Sequence, residues 1–196
     1  MATQPKLPEP IRRSIDVPWS QRAAFERFTS QFGDWWPRYS HSIGGRRIKR
    51  LGFECGVGGQ IYEEHHDGTR MLWGKVTAFD APHRVAFTFH PSQKESDAQL
   101  IDVRFLPDGV GTGVELTSSG WDAMSKAAQR AYGAYRLNWG AALARFADRF
   151  SGVVVLFSVM SAGIDLLGQR GKFIRNSHGK MPADQESASA RTAATH

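Results

Sequence analysis

Residues 84–106 read RVAFTFHPSQKESDAQLIDVRFL, and this stretch decides the fold. Val85, Phe87 and Phe89 share one parity against Ala86, Thr88 and His90; after a polar connection opened by Pro91, Ile101, Val103 and Phe105 alternate with Asp102 and Arg104. Successive strand residues point to opposite faces, so the period of two predicts adjacent antiparallel strands with one apolar and one wet face. Working outward, β-rich runs at 47–54, 60–65, 70–79 and 113–119 are separated by turn chemistry at Gly56-Val57-Gly58-Gly59, Asp67-Gly68, Ala81-Pro82 and Asp108-Gly109. Upstream, Ile11, Arg13, Ile15 and Val17 alternate with Arg12, Ser14 and Asp16, which brings the count to about seven strands, with Arg13 interrupting the apolar face.

Two helical patterns flank these runs. Pro18 stops the first strand, and Ala23, Ala24, Phe25, Phe28 and Phe32 then recur at helical spacing. Gly33, Pro37 and Gly44-Gly45 punctuate a short helix or loop that carries Trp35 and Trp36 as aromatic anchors. Beyond Gly120, residues 122–150 contain no proline and space Ala128, Ala131 or Tyr132, Tyr135, Trp139, Leu143 and Phe146 three or four apart, as a long amphipathic helix does. The apolar face of the sheet is the surface available to cover that stripe. The expected architecture is therefore α+β, a curved antiparallel sheet wrapped round one long helix, a shape that tends to leave a cavity.

The chain has 196 residues, 41% hydrophobic and 22% charged, which fits one main globular domain and excludes disordered, collagen-like and low-complexity classes. A lone Cys55 excludes a disulfide scaffold and a cysteine zinc module, and predicts a reducing compartment. The opening MATQPKLPEPIRRS has no apolar segment after its charges, so the cytoplasm is the expected location. A net charge of +6 bears on solubility and association and names no partner. The expected layout is a tail at 1–10, the domain at 11–150, an apolar helical extension at 151–175 and a disordered tail at 176–196.

Four phrases, PWSQRAAFERFTSQFGDWWP (18–37), ECGVGGQIYEE (54–64), WGKVTAFDAPHRVAFTFHP (73–91) and VELTSSGW (114–121), occur in an order that resembles the Hsp90-ATPase-activator-like (AHSA1-type) branch of the START-like, Bet v 1-like superfamily. The resemblance runs from about residue 11 to about residue 150 and implies a helix-grip fold, with the long helix lying across a seven-stranded sheet over an internal pocket. It implies three kinds of function, because the superfamily holds carriers of hydrophobic ligands, polyketide cyclases and a co-chaperone domain. Eukaryotic Hsp90 activators carry a further N-terminal domain, and ten residues precede the first strand here, which weighs against the chaperone role.

Parity and helix spacing place Trp73, Phe87, Phe89, Phe105, Tyr132, Tyr135 and Trp139 toward the interior, where they can line an apolar pocket. Tyr132, Tyr135 and Trp139 bring O–H and N–H groups that would orient a ligand. The leading expectation is a small hydrophobic or amphipathic ligand, with no metal or redox cofactor. A chaperone-interaction module and a cyclase-type or hydrolytic enzyme using the same cavity are the alternatives. Among chemistry-bearing residues, EEHHDG (63–68) puts Glu63 and His65 on one strand face and Glu64 and His66 on the other, pairs rather than a metal triad, and reads as a solvated hairpin end. No nucleophile elbow, zinc helix or phosphate loop is present, and Asp102, Arg104 and His90 fall opposite the apolar faces of their strands, so no catalytic residue is assigned; Glu115 completes that set. Arg46, Arg47, Lys49 and Arg50 form a solvated strand face rather than a nucleic-acid site.

The apolar stretch 153–167 needs burial. Val153, Leu156 or Phe157, Met160, Ile164 and Leu167 form a seam at helical spacing, expected to pack on the domain or on a second copy as a homodimer. As a membrane span it is short of the usual ~20 residues and carries Asp165. Attachment to a membrane surface, aided by Arg170, Lys172 and Arg175, is the remaining option.

Overall fold

A computed structural model describes residues 8–151. The expected extension at 151–175, with its dimer and membrane readings, and the tail at 176–196 lie outside the described residues, as does most of the N-terminal tail. Seven strands form: β1 (Ile11–Val17), β2 (Ile48–Phe53), β3 (Gln60–His65), β4 (Arg70–Asp80), β5 (Arg84–Phe89), β6 (Gln99–Asp108) and β7 (Gly111–Ser119). Helices α1 (Gln21–Phe28) and α2 (Phe32–Trp35) lie between β1 and β2, and α3 (Lys126–Gln129) and α4 (Tyr132–Ser151) follow β7. Among the described residues no helix is long and apolar enough to cross a membrane.

The sheet is antiparallel throughout, in the order β1-β7-β6-β5-β4-β3-β2. β5 and β6 pair with Phe87 opposite Ile101 and Val85 opposite Val103, so both apolar parities share one face. Register shifts in the β2–β3, β3–β4 and β4–β5 ladders insert extra residues that bend the strands and curl the sheet. Gly74 sits in this bend, where a Cβ would fall 1.7 Å from the Thr88 carbonyl oxygen, so only glycine lets β4 and β5 approach there.

The curled sheet holds α4 against its concave face, burying Trp139, Ala142, Leu143, Phe146 and Ala147. Phe146 meets Trp19, Phe28 and Trp35 at centroid distances of 5.2–5.5 Å, so α1, α2 and α4 share one aromatic core. α4 begins at residue 132, ten residues later than the sequence pattern alone predicts. Asp97 explains the delay: its carboxylate accepts from the Ser125 N–H (2.7 Å) and Oγ–H (3.0 Å), which fixes Ser125 as the N-cap of α3, accepting from the Ala128 N–H. Arg13 does lie on the buried face its parity dictates. Its guanidinium donates to the carbonyls of Arg12 (2.8 Å) and, on α4, Arg136, replacing lost hydration.

Two sequence expectations are corrected here. His90 is buried rather than wet, because β5 ends at Phe89 and the alternation stops with it; the His90 backbone N–H instead donates to the Trp73 carbonyl. Glu63 and His65 are not a solvated hairpin end. Glu63 is 0% and His65 4% exposed, because the chain between α2 and β2 folds over this side of β3. Glu64 on the opposite face does meet solvent, paired with Lys49 and Arg50.

Candidate functional site

Three rings from three separate elements build the floor of a cavity of about 170 Å³ beside α4, open to solvent on one side. Trp36 arrives just after α2, where the following Pro37 disfavours further helix and holds it extended at φ −57°, ψ 136°. Phe89 ends β5, and Trp139 lies on α4. Their centroids stand 5.1 Å (Phe89–Trp139), 5.6 Å (Trp36–Phe89) and 5.8 Å (Trp36–Trp139) apart, a mutually supporting trio in tilted and edge-to-face geometry.

A polar ledge faces these rings. The Trp36 Nε1–H donates to the His41 carbonyl (3.1 Å), which turns residues 41–43 onto the cavity wall. His41 Nδ1 pairs with Ser40 Oγ at 2.7 Å, whereas His41 Nε2 and Ser42 Oγ are buried with no hydrogen-bond partner in the protein. Burial holds the His41 pKa below its usual value, which keeps the ring neutral near pH 7. Tyr135 and Asn138 complete the ledge from α4. Burial pushes the Tyr135 hydroxyl up, so the phenol keeps its proton. Pro91 and Ser92 close the rim; Ser92 adopts φ 64°, a left-handed conformation uncommon for residues other than glycine.

Beneath the ledge, the corrected pair acts as an anchor. Glu63 Oε2 accepts from the Ile43 N–H (3.0 Å) and Oε1 from His65 Nε2–H (2.7 Å). Gly44 passes so close that a Cβ would fall 2.3 Å from His65 Nε2 and 3.0 Å from Glu63 Oε1. The carboxylate thus ties the segment bearing His41, Ser42 and Ile43 to the sheet. A second chain of hydrogen bonds ties α4: Gln99 Oε1 accepts from Trp139 Nε1–H (3.1 Å) and Ser118 Oγ–H (2.8 Å), and Ser118 Oγ accepts from Trp121 Nε1–H (3.1 Å).

Of the seven expected pocket residues, Phe89, Tyr135 and Trp139 reach the cavity wall. Trp73 lies wholly buried behind them, 5.6 Å from Trp36 and 5.9 Å from Phe89. Phe87 packs on Phe53 and Phe105 packs on Phe25 and Phe28, so both are ordinary core. Tyr132 belongs to a separate cluster, against Trp121 at 5.2 Å, with its hydroxyl donating to the Glu9 carbonyl. Sequence reasoning missed His41, Ser42, Ile43 and Asn138, and read Trp36 only as an anchor; the Gly44-Gly45 pair was the available sign that this segment runs against something. Asp102 is on the sheet's outer side with Arg84 and Arg104, and Glu115 is exposed. Among the described residues no group of three or more His, Cys, Asp or Glu side chains could hold a metal ion.

With this geometry in view, comparison with known proteins is informative. The family model described as Activator of Hsp90 ATPase homolog 1-like protein matches residues 19–151. Among solved structures, the anthrahydroquino-gamma-pyrone synthase Txn09 complexed with SUM is 33% identical; the match covers 75% of this chain and 100% of that one at a TM-score of 0.51. Protein MLL2253 from Mesorhizobium loti (12% identity, 72% and 96% coverage, TM-score 0.53) and Ms6760 from Mycobacterium smegmatis (14%, 74% and 91%, 0.51) share the fold. No curated protein matches in sequence. The matched span takes in every strand from β2 to β7, both cavity-bearing segments and α4, and the chain belongs to the activator of Hsp90 ATPase homolog 1-like family.

Proposed function

We propose that this protein binds a small hydrophobic or amphipathic molecule in the cavity between the sheet and α4. One observation carries the reading: His41 Nε2 and Ser42 Oγ are buried on the wall of an aromatic cavity without partners. Such atoms cost roughly 1–3 kcal/mol each when unsatisfied, and a ligand with matching groups recovers that cost while burying its rings at roughly 25 cal/mol per Å². Trp36, Phe89 and Trp139 supply the apolar contact; Tyr135 and Asn138 supply orientation. Native mass spectra of the full-length protein, purified without detergent from its host, test the reading directly. A discrete adduct that is lost on denaturation is expected, and it should disappear in Trp36→Ala.

A second reading, acid–base catalysis on the bound molecule, is favoured by the 33% identity to a pyrone synthase along the whole of that chain. A neutral His41 has the character of a general base, and a protonated Tyr135 that of a hydrogen-bond donor to a carbonyl oxygen. Turnover of a bound compound that vanishes in His41→Phe would select this reading over simple carriage. An adduct-free protein that stimulates the ATPase of an Hsp90 would instead transfer the function to the exterior.

A further inference from the structure

Resting on the ligand-binding reading, the structure also constrains the chemistry of what is bound. We infer that the cavity takes a neutral, single-ring aromatic compound that carries both a hydroxyl and a carbonyl oxygen, a hydroxyaryl ketone or a close relative. Three observations exclude the other classes. None of the lining residues is Asp, Glu, Lys or Arg, so a carboxylate, phosphate or ammonium group seated inside, away from the open side, would lose its hydration with no opposite charge in return. The volume of about 170 Å³ is close to the roughly 150 Å³ of a protein cavity that takes up benzene, which admits one substituted ring and directs anything larger toward the open side. The ledge offers more than one kind of hydrogen-bonding atom: the Tyr135 O–H donates, while His41 Nε2, Ser42 Oγ and the Asn138 amide can accept or donate. A pure hydrocarbon would leave all of these unmatched, and a ligand with only acceptors would leave part of them so.

The three-ring floor adds shape to the chemistry. Trp36, Phe89 and Trp139 put three aromatic rings on the cavity wall, and edge or offset contact with them favours a planar aromatic over a flexible chain of equal volume. The ligand's hydroxyl and carbonyl are matched by the hydrogen-bonding atoms of His41, Ser42, Tyr135 and Asn138 on the same cavity wall. His41, held neutral by burial, receives a hydroxyl without requiring a charged partner.

The test is equilibrium binding to the full-length protein at pH 7.5, followed by tryptophan fluorescence, with 3′-hydroxyacetophenone, ethylbenzene, benzoate and decanoate as probes. The hydroxyaryl ketone is expected to bind at least tenfold more tightly than each of the other three. In Ser42→Ala and His41→Phe that preference over ethylbenzene should shrink by at least threefold, with a thermal melt of each variant showing that it remains folded. Benzoate or decanoate binding as tightly as the ketone would overturn this ligand class and leave the cavity reading standing. An unchanged preference in both variants would overturn the assignment of the ledge. No binding by any probe would overturn both readings together.

Discussion

Replacing Glu63 with leucine should be among the most damaging single changes in the sheet, though Glu63 is a carboxylate next to a second, harmless one. The side chain is fully buried, and its two oxygens accept from His65 Nε2–H at 2.7 Å and from the Ile43 N–H at 3.0 Å. Leucine fills a comparable volume and removes both acceptors, leaving the buried His65 Nε2–H and the part-buried Ile43 N–H with nothing to receive them. Each such donor costs about 1–3 kcal/mol, so Glu63→Leu should lose about 2–6 kcal/mol. At roughly 2–4 °C per kcal/mol for a chain of this size, the melting midpoint should fall by roughly 10 °C. The neighbouring Glu64 points the other way, into a solvent-screened group with Lys49, Arg50 and Arg70, and Glu64→Gln should leave the midpoint nearly unchanged. Thermal and urea melts of the two variants against the parent protein make the comparison. The double change Glu63→Leu with His65→Phe removes one of the stranded donors and should be less damaging than the sum of the singles. A Glu63→Leu unfolding free energy within about 1 kcal/mol of the parent's would refute the reasoning. So would an equal loss in Glu64→Gln.

Other outcomes follow from the same anchors. Gly44→Ala places a Cβ 2.3 Å from His65 Nε2, so it should weaken ligand uptake by displacing residues 41–43, with Gly45→Ala, where no atom lies within 4 Å but φ is +54°, costing stability through backbone strain instead; ligand affinity measured beside a melt separates the two. Gln99→Leu strands the Trp139 and Ser118 donors and should cost about 2 kcal/mol or more in a urea melt. Two groups set pH limits: folded His41 binds its proton less readily than the unfolded chain, so its contribution is full above pH 6.5 and declines below it. Folded Tyr135 releases its proton less readily, so its contribution is full below pH 10 and declines above it. Stability and binding profiled against pH should show both flanks, and His41→Phe should remove the acidic one.

Strand parity carried most of the architecture. Val85, Phe87, Ile101, Val103 and Phe105 are buried on one face because each strand has one side against the core, and alternation of that kind is local information. The pocket was less legible. Phe105 and Phe89 have the same parity signal, yet Phe105 meets α1 while Phe89 meets the cavity, a difference fixed by what covers each end of the sheet. His41 and Ser42 stand in a segment without periodicity, and their placement depends on a carboxylate some twenty residues later, a tertiary contact that no local pattern encodes. Glu63 and His65 misled for the same reason: strand alternation tells which residues share a face, and a crossing loop decides whether that face is wet.

The order of the strands also sets a timetable. β1 and β2 succeed one another along the chain, separated by α1 and α2, yet they occupy opposite edges of the sheet, and β1 pairs with β7 roughly a hundred residues downstream. During synthesis β2 through β7 can zip neighbour to neighbour, while β1 waits for β7, and the aromatic side chains of Phe25, Phe28 and Trp35 wait for β6 and α4 to cover them. β1 is thus made well before the strand that protects it. Until those partners emerge that apolar segment stays uncovered, and closing the edge needs a contact of long sequence separation, the kind that slows folding.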